Sequence, residues 1–249
     1  MSAQISIIAH IPKTAGTFFR DRVLIPSRAF DVILLDYEEL TNEITRIQLK
    51  DRILLTGRNV RSWGEMIRRF RATVQSCGML HAPAKCIIYG HIVLGWYKEL
   101  FPEALFGIWT RNPIDRALSN YYHYHRLKSP DGYYKDEEDD IVKAIYHRDI
   151  DNLQSQYCGN YPISELSFVG ITERLEESIK LFKRVYNVQI NVNANERVNA
   201  NPKNVGIHYN ISSNLRTRLE KLLIRDALVY KQAVDRFDQL LNKYGVIGG

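Results

Sequence analysis

Apolar positions in this chain gather into short runs separated by stretches of helical spacing. Residues 5–9, 31–36, 52–57, 85–91, 104–110 and 166–171 each hold a core of Val, Ile, Leu or Phe with few polar breaks. That is the composition of strands buried on both faces. Between them, Val60, Trp63, Ile67, Phe70 and Val74 recur at helical spacing, as do Leu175, Ile179, Phe182 and Val185. A last, long amphipathic stretch carries Leu215, Leu219, Leu222, Tyr230, Val234, Phe237 and Leu241 and ends near Gly245. A first helix is predicted to begin near Thr17, to hold Phe18, Phe19 and Val23, and to end by Pro26. Asn112-Pro113, with Asp115 in the first turn, predicts a helix start with Asn as its cap, running to about His125.

Thr172 and Ser213 are the predicted caps of the two later helices. Residues 38–50, polar with scattered Leu and Ile, predict a weak helix. Residues 129–140, with Pro130-Asp131-Gly132 and the run Asp136–Asp140, predict a turn and a solvated acidic loop, without the alternating ligands and Gly of a calcium loop. The Asn-rich residues 187–204 predict a loop around a short strand. There is no internal repeat or linker. Strands alternating with helices predict a single α/β domain over residues 1–249, a mostly parallel sheet with helices on both faces.

Composition narrows this little. The 249 residues are 45% hydrophobic and 25% charged, ordinary for a globular protein with a full core. A net charge of +6 favours an anionic ligand without specifying one. Cys77, Cys86 and Cys158 are odd in number and lack a CxxC pair, which argues against a disulfide framework or a thiolate metal site. No run approaches the roughly 18 apolar residues of a spanning helix, and the first residues lack the pattern of a signal peptide. A cytoplasmic location is therefore expected, and the sequon Asn210-Ile211-Ser212 has no evident use there.

The candidate chemistry lies at strand ends. The first strand runs into His10-Ile11-Pro12-Lys13-Thr14-Ala15-Gly16-Thr17-Phe18 and then a helix. Such a turn offers outward backbone N–H groups, a helix dipole and the Lys13 cation to an anion. The GxxxxGK[ST] order of a nucleoside-triphosphate loop is absent. Spacing alone also allows an ordinary βα turn with a solvated lysine. His91 ends the fourth run and Arg111 follows the fifth. In a parallel sheet these ends lie together, on the side where ligands bind. Arg58, Arg61, Arg68, Arg69 and Arg71 give the 60–74 helix a basic side, which reads either as a solvated face or as a surface for an anionic acceptor.

Residues 10–17 closely resemble the 5′-phosphosulfate loop of carbohydrate sulfotransferases, especially the heparan sulfate 2-O-sulfotransferase-like group. Residues 111–121 (Arg-Asn-Pro-Ile-Asp-Arg-Ala-Leu-Ser-Asn-Tyr) resemble that family's 3′-phosphate segment, and Tyr89-Gly90-His91-Ile92 resembles the segment supplying its catalytic His. Gly170-Ile171-Thr172-Glu173-Arg174-Leu175 and residues 226–237 also resemble later parts of the superfamily.

The resemblance implies a P-loop-NTPase-like fold and 3′-phosphoadenosine 5′-phosphosulfate (PAPS) as donor, with 3′,5′-ADP as product. Lys13, Thr14, Ala15, Gly16, Thr17 and Phe18 would hold the phosphosulfate. Arg111 and Ser119 would hold the 3′-phosphate, and His91 would take the acceptor's proton, with Lys13 at the leaving group. Arg197, Asn199 and Lys203 occupy the place of a loop that closes over the nucleotide. Ala15 stands where the family more often has Gly and is expected to keep an ordinary φ. No metal is expected. The acceptor would be a hydroxyl of a glycan, glycolipid or related molecule, with no nucleic-acid partner and no membrane span. Two other readings stay open: a P-loop small-molecule kinase, requiring magnesium and ATP, and a non-catalytic polyanion-binding module using the basic helix.

Overall fold

A computed structural model describes residues 4–27, 29–36, 45–49, 52–56, 68, 72, 85–128, 137–147, 152–190 and 209–246. The strands are β1 (Gln4–His10), β2 (Val32–Asp36), β3 (Thr45–Leu49), β4 (Arg52–Thr56), β5 (Lys85–Gly90), β6 (Leu105–Thr110) and β7 (Phe168–Ile171). They form one sheet in the order β3-β4-β2-β5-β1-β6-β7. All neighbours pair in parallel except β3 with β4. This is the mostly parallel α/β sheet expected from the apolar runs.

The strand order turns at β1, next to the central strand β5. The chain lays down β2 to β5 on one side of β1 and β6 and β7 on the other. The register sets Ala9 beside Gly90 and His10 beside Trp109, so β5, β1 and β6 end level with one another.

The helices are α1 (Gly16–Phe18, continuing as a π-helical turn over Phe19–Leu24), α2 (Leu94–Leu100), α3 (Pro113–Lys128), α4 (Glu138–His147), α5 (Leu153–Cys158), α6 (Leu175–Tyr186), α7 (Ser213–Leu222) and α8 (Ile224–Lys243). Phe19 pins α1 to the sheet. Its ring lies 5.4 Å from Tyr89 of β5, 4.8 Å from Trp109 of β6 and 4.8 Å from Phe182 of α6. A second, smaller core joins Leu118 and Tyr121 of α3, Ile141 and Ile145 of α4, and Leu215 and Leu219 of α7.

Several elements differ from the sequence expectation. The weak helix of residues 38–50 is not observed over residues 45–49, which form β3, antiparallel to β4 with Ile47 beside Leu54. A ready pairing partner outweighs a marginal helical pattern. The second half of the acidic run is not a loop. Glu138, Asp139 and Asp140 form the first turn of α4, where the helix dipole favours negative charge. Hydrogen bonds from Ser212 and Asn214 lower the Glu138 pKa, and Arg218 pairs with Asp139 at 2.7 Å. Thr172 does not cap α6. Its hydroxyl donates to the Thr110 carbonyl (3.0 Å), and a short turn over Thr172–Arg174 precedes the helix. The cap before α7 is Ser212 rather than Ser213, accepting from the Leu215 N–H at 3.0 Å, and the final helix breaks at Leu223. Of the predicted basic helix only Arg68 and Ala72 are described, and both are helical.

Candidate active site

The loop from Ile11 to Ala15 turns through two left-handed residues. Lys13 has φ 72° and Ala15 has φ 62°. Thr14 closes the turn, with its N–H and its hydroxyl both donating to the Ile11 carbonyl, the latter at 2.7 Å. The Thr14 side chain is fully buried. The first helical bond runs from the Phe19 N–H to the Ala15 carbonyl at 3.0 Å. The Gly16, Thr17 and Phe18 N–H groups therefore precede the helical ladder and have no carbonyl one turn back. Left-handed turns followed by such N–H groups form an anion-binding concavity.

The expected ordinary φ at Ala15 is corrected by the structure. A Cβ in the left-handed region crowds the carbonyl that follows it, at about 1–2 kcal/mol. Glycine would avoid that but loses more entropy on folding, about 0.4–1 kcal/mol. Ala15→Gly is therefore expected to raise stability by about 0.5–1 kcal/mol in a urea unfolding titration, since the first magnitude exceeds the second.

Gly16 is required for another reason. A Cβ there would lie 1.9 Å from the His10 ring. The His10 imidazole fills that space, stacked parallel on Tyr89 at 5.7 Å, and the Tyr89 hydroxyl donates to the Gly16 carbonyl at 3.0 Å. On its other side His10 meets His91, with ring centroids 5.0 Å apart. Burial first, and then the charges of His91, Arg20 and Lys13, hold the His10 pKa well below its ordinary value. His91 is half-buried in the bend after β5, and the Tyr157 ring of α5 faces it edge-on at 6.2 Å.

Arg111 reaches the loop from the β6 end. Its Nη1 donates to the Lys13 carbonyl at 3.3 Å, and its Nε lies 4.0 Å from Glu173 Oε1. Glu173 also accepts from the Asn112 N–H at 2.8 Å and from the Tyr230 hydroxyl at 3.1 Å. Burial, and then Glu173, push the Tyr230 pKa up.

Gln154 of α5 is fully buried, and its Oε1 accepts from the Thr110 hydroxyl and, at 3.0 Å, from the Arg111 N–H. A backbone N–H only donates, so the amide orientation is fixed and Nε2 is left without a hydrogen-bond partner among the described residues. Asn112 caps α3 as expected, with Oδ1 accepting from the Ile114 and Asp115 N–H groups at 3.1 and 3.3 Å.

The structure thus brings Lys13, Thr14, Ala15, Gly16, Thr17, Phe18, His91 and Arg111 to three adjacent strand ends. Ser119 is half-buried about two turns along α3. Arg197, Asn199 and Lys203 lie outside the described residues. Pattern reading missed His10 as a wedge, Gln154, Tyr157 and the Glu173–Tyr230 support. His10 could have been found as the residue that ends β1 level with His91. Gln154 and Tyr157 carry no local signal, because only the tertiary fold brings α5 beside Arg111 and His91.

Among the described residues no three His, Cys, Asp or Glu side chains are grouped as a metal site, and no helix is long and apolar enough to cross a membrane. No protein-family model matches the chain, and no curated protein matches it. A solved structure similar to this chain is a sulfotransferase from Alicyclobacillus acidocaldarius. The TM-score is 0.46 at 16% identity, over 93% of this chain and 99% of that one.

Proposed function

We propose that the chain is a sulfotransferase of the heparan sulfate 2-O-sulfotransferase-like group, moving the sulfuryl group of PAPS to a hydroxyl of a carbohydrate or related acceptor. One observation carries the reading. The anion loop, an imidazole and a guanidinium stand at the ends of β1, β5 and β6, where the strand order turns, and Arg111 is hydrogen-bonded to the loop itself. The likeness of residues 10–17, 89–92 and 111–121 to sulfotransferase segments supplies the identity of the anion.

The donor set suits a nucleotide bearing anionic groups at both ends. The N–H groups of Gly16, Thr17 and Phe18, with the Lys13 ammonium, would take the 5′-phosphosulfate. Because the Thr14 hydroxyl is committed to Ile11, Thr14 supports this site by fixing the turn. Arg111, held by Glu173, and Ser119 would take the 3′-phosphate.

In the reaction His91 accepts the proton of the acceptor hydroxyl on an imidazole nitrogen as that oxygen bonds to sulfur. The bridging S–O bond breaks and its electron pair leaves with the phosphate of 3′,5′-ADP, whose growing charge Lys13 and the loop N–H groups stabilise. The cation placed at the loop supplies this stabilisation from the chain's own residues.

Labelled PAPS incubated with a panel of glycans and glycolipids, with a chelator present, tests the reading. Labelled product is expected. Product formed only from ATP with magnesium would instead support the kinase reading. Arg111→Ala is expected to weaken 3′,5′-ADP binding about 10–100-fold, the loss of roughly one charge-assisted fork plus its desolvated neighbour, measured by calorimetry. 5′-AMP, which lacks the 3′-phosphate, is expected to be affected far less.

A further inference from the structure

We infer that His10 is a positioning residue for His91, an imidazole wedge that joins the anion loop to the general base. This rests on the sulfotransferase reading for the role of His91, and its geometry stands apart from it.

Three contacts define the wedge. The His10 ring occupies the space a Gly16 side chain would need, with a Cβ only 1.9 Å away, so the ring and the first turn of α1 fit one another tightly. It lies parallel on Tyr89, whose hydroxyl holds the Gly16 carbonyl at 3.0 Å. Its third neighbour is His91 at 5.0 Å. His10 is 5% exposed, so no ligand reaches most of its surface, and its effect on the reaction must pass through a neighbour.

Two imidazoles this close do not both carry a proton readily. Burial, and then the charges of His91, Arg20 and Lys13, hold His10 toward its neutral form. The proton taken from an acceptor therefore rests on His91. From α5 the uncharged Tyr157 ring meets His91 at 6.2 Å. A neutral but polar ring beside His91 gives the imidazolium a better neighbour than an apolar ring would.

The test is the titration of the His91 imidazole by NMR in the full chain, assigned by the signal missing from His91→Gln. His10→Phe keeps a flat ring in the wedge and removes its nitrogens. His10→Asn keeps a polar group and guards against a fold defect specific to Phe. His10→Phe is expected to lower the His91 midpoint by about half a pH unit or more, because an apolar neighbour disfavours the charged form. The acid limb of the kcat/KM profile should move the same way, kcat should fall about tenfold, and 3′,5′-ADP binding should stay within about threefold. His10→Asn is expected to leave the midpoint nearer that of the parent chain. An unchanged His91 midpoint and an unchanged kcat in both variants would overturn the inference. The NMR readout needs no turnover, so a chain that shows the His10–His91 coupling but no sulfuryl transfer overturns the sulfotransferase reading separately.

Discussion

Replacing His91 with alanine is expected to lower sulfuryl transfer about 10²–10⁴-fold, the usual contribution of a positioned general base. Binding of 3′,5′-ADP should stay within about twofold, because the groups placed to hold the nucleotide are separate from it. They belong to the loop after β1 and to Arg111 after β6, whereas His91 follows β5 and touches His10 and Tyr157. Loss of kcat with retained nucleotide affinity is therefore the expected signature. The check pairs steady-state kinetics with calorimetry on the same preparation. Near-normal turnover would remove His91 from the mechanism, and lost nucleotide binding would make it a structural or donor-binding residue instead.

The second large effect is expected far from solvent. Arg116 of α3 and Asp226 of α8 are both fully buried, with Nε 3.7 Å from Oδ2. Asp226 Oδ1 also accepts the Ser155 N–H at 2.8 Å, which ties α5 into the same junction. Removing one partner of such a pair leaves the other charge in a medium that cannot solvate it, at about 3–5 kcal/mol. Asp226→Ala is expected to lower the unfolding free energy by that amount in urea titrations, and Asp226→Asn nearly as much, because the amide restores the acceptor for Ser155 but not the charge for Arg116. A loss below about 1 kcal/mol in both variants would show that Arg116 is neutralised by other groups. The same junction bears on the site, since α3 starts at the Arg111 segment and α5 carries Gln154 against the Arg111 N–H.

The sheet was largely legible in the sequence because its strands are buried on both faces. Runs such as Ile7-Ile8-Ala9 and Cys86-Ile87-Ile88 leave no polar face to confuse the pattern. β3 was not legible, since Thr45–Leu49 is a short edge strand whose pairing with β4 is a tertiary fact. The helix at Glu138 was hidden because three consecutive acids look like a solvated loop until Ile141 and Ile145 are seen packing into the second core. Cap positions slipped by one where neighbouring serines, Ser212 and Ser213, offered the same chemistry.

In the site, the groups that carry charge were legible from their places at strand ends. Their supports were not. Glu173 stands behind Arg111, and Gln154 beneath it, across 61 and 43 residues of sequence, as the wide separation of their contacts with Asn112 and Arg111 shows. Ala15 is instructive in the other direction. Its residue type argued for an ordinary φ, but the loop's need to turn its amides outward imposed φ 62°.

The most direct measurement is calorimetric titration of the full chain with 3′,5′-ADP, with EDTA present and ADP as the comparison. Saturable binding of one nucleotide per chain, much tighter for 3′,5′-ADP than for ADP and weakened by Arg111→Ala, is the expected result. Equal or preferred binding of ADP, binding that vanishes with EDTA, or no binding of 3′,5′-ADP at all would contradict a PAPS-type donor site at the ends of β1, β5 and β6.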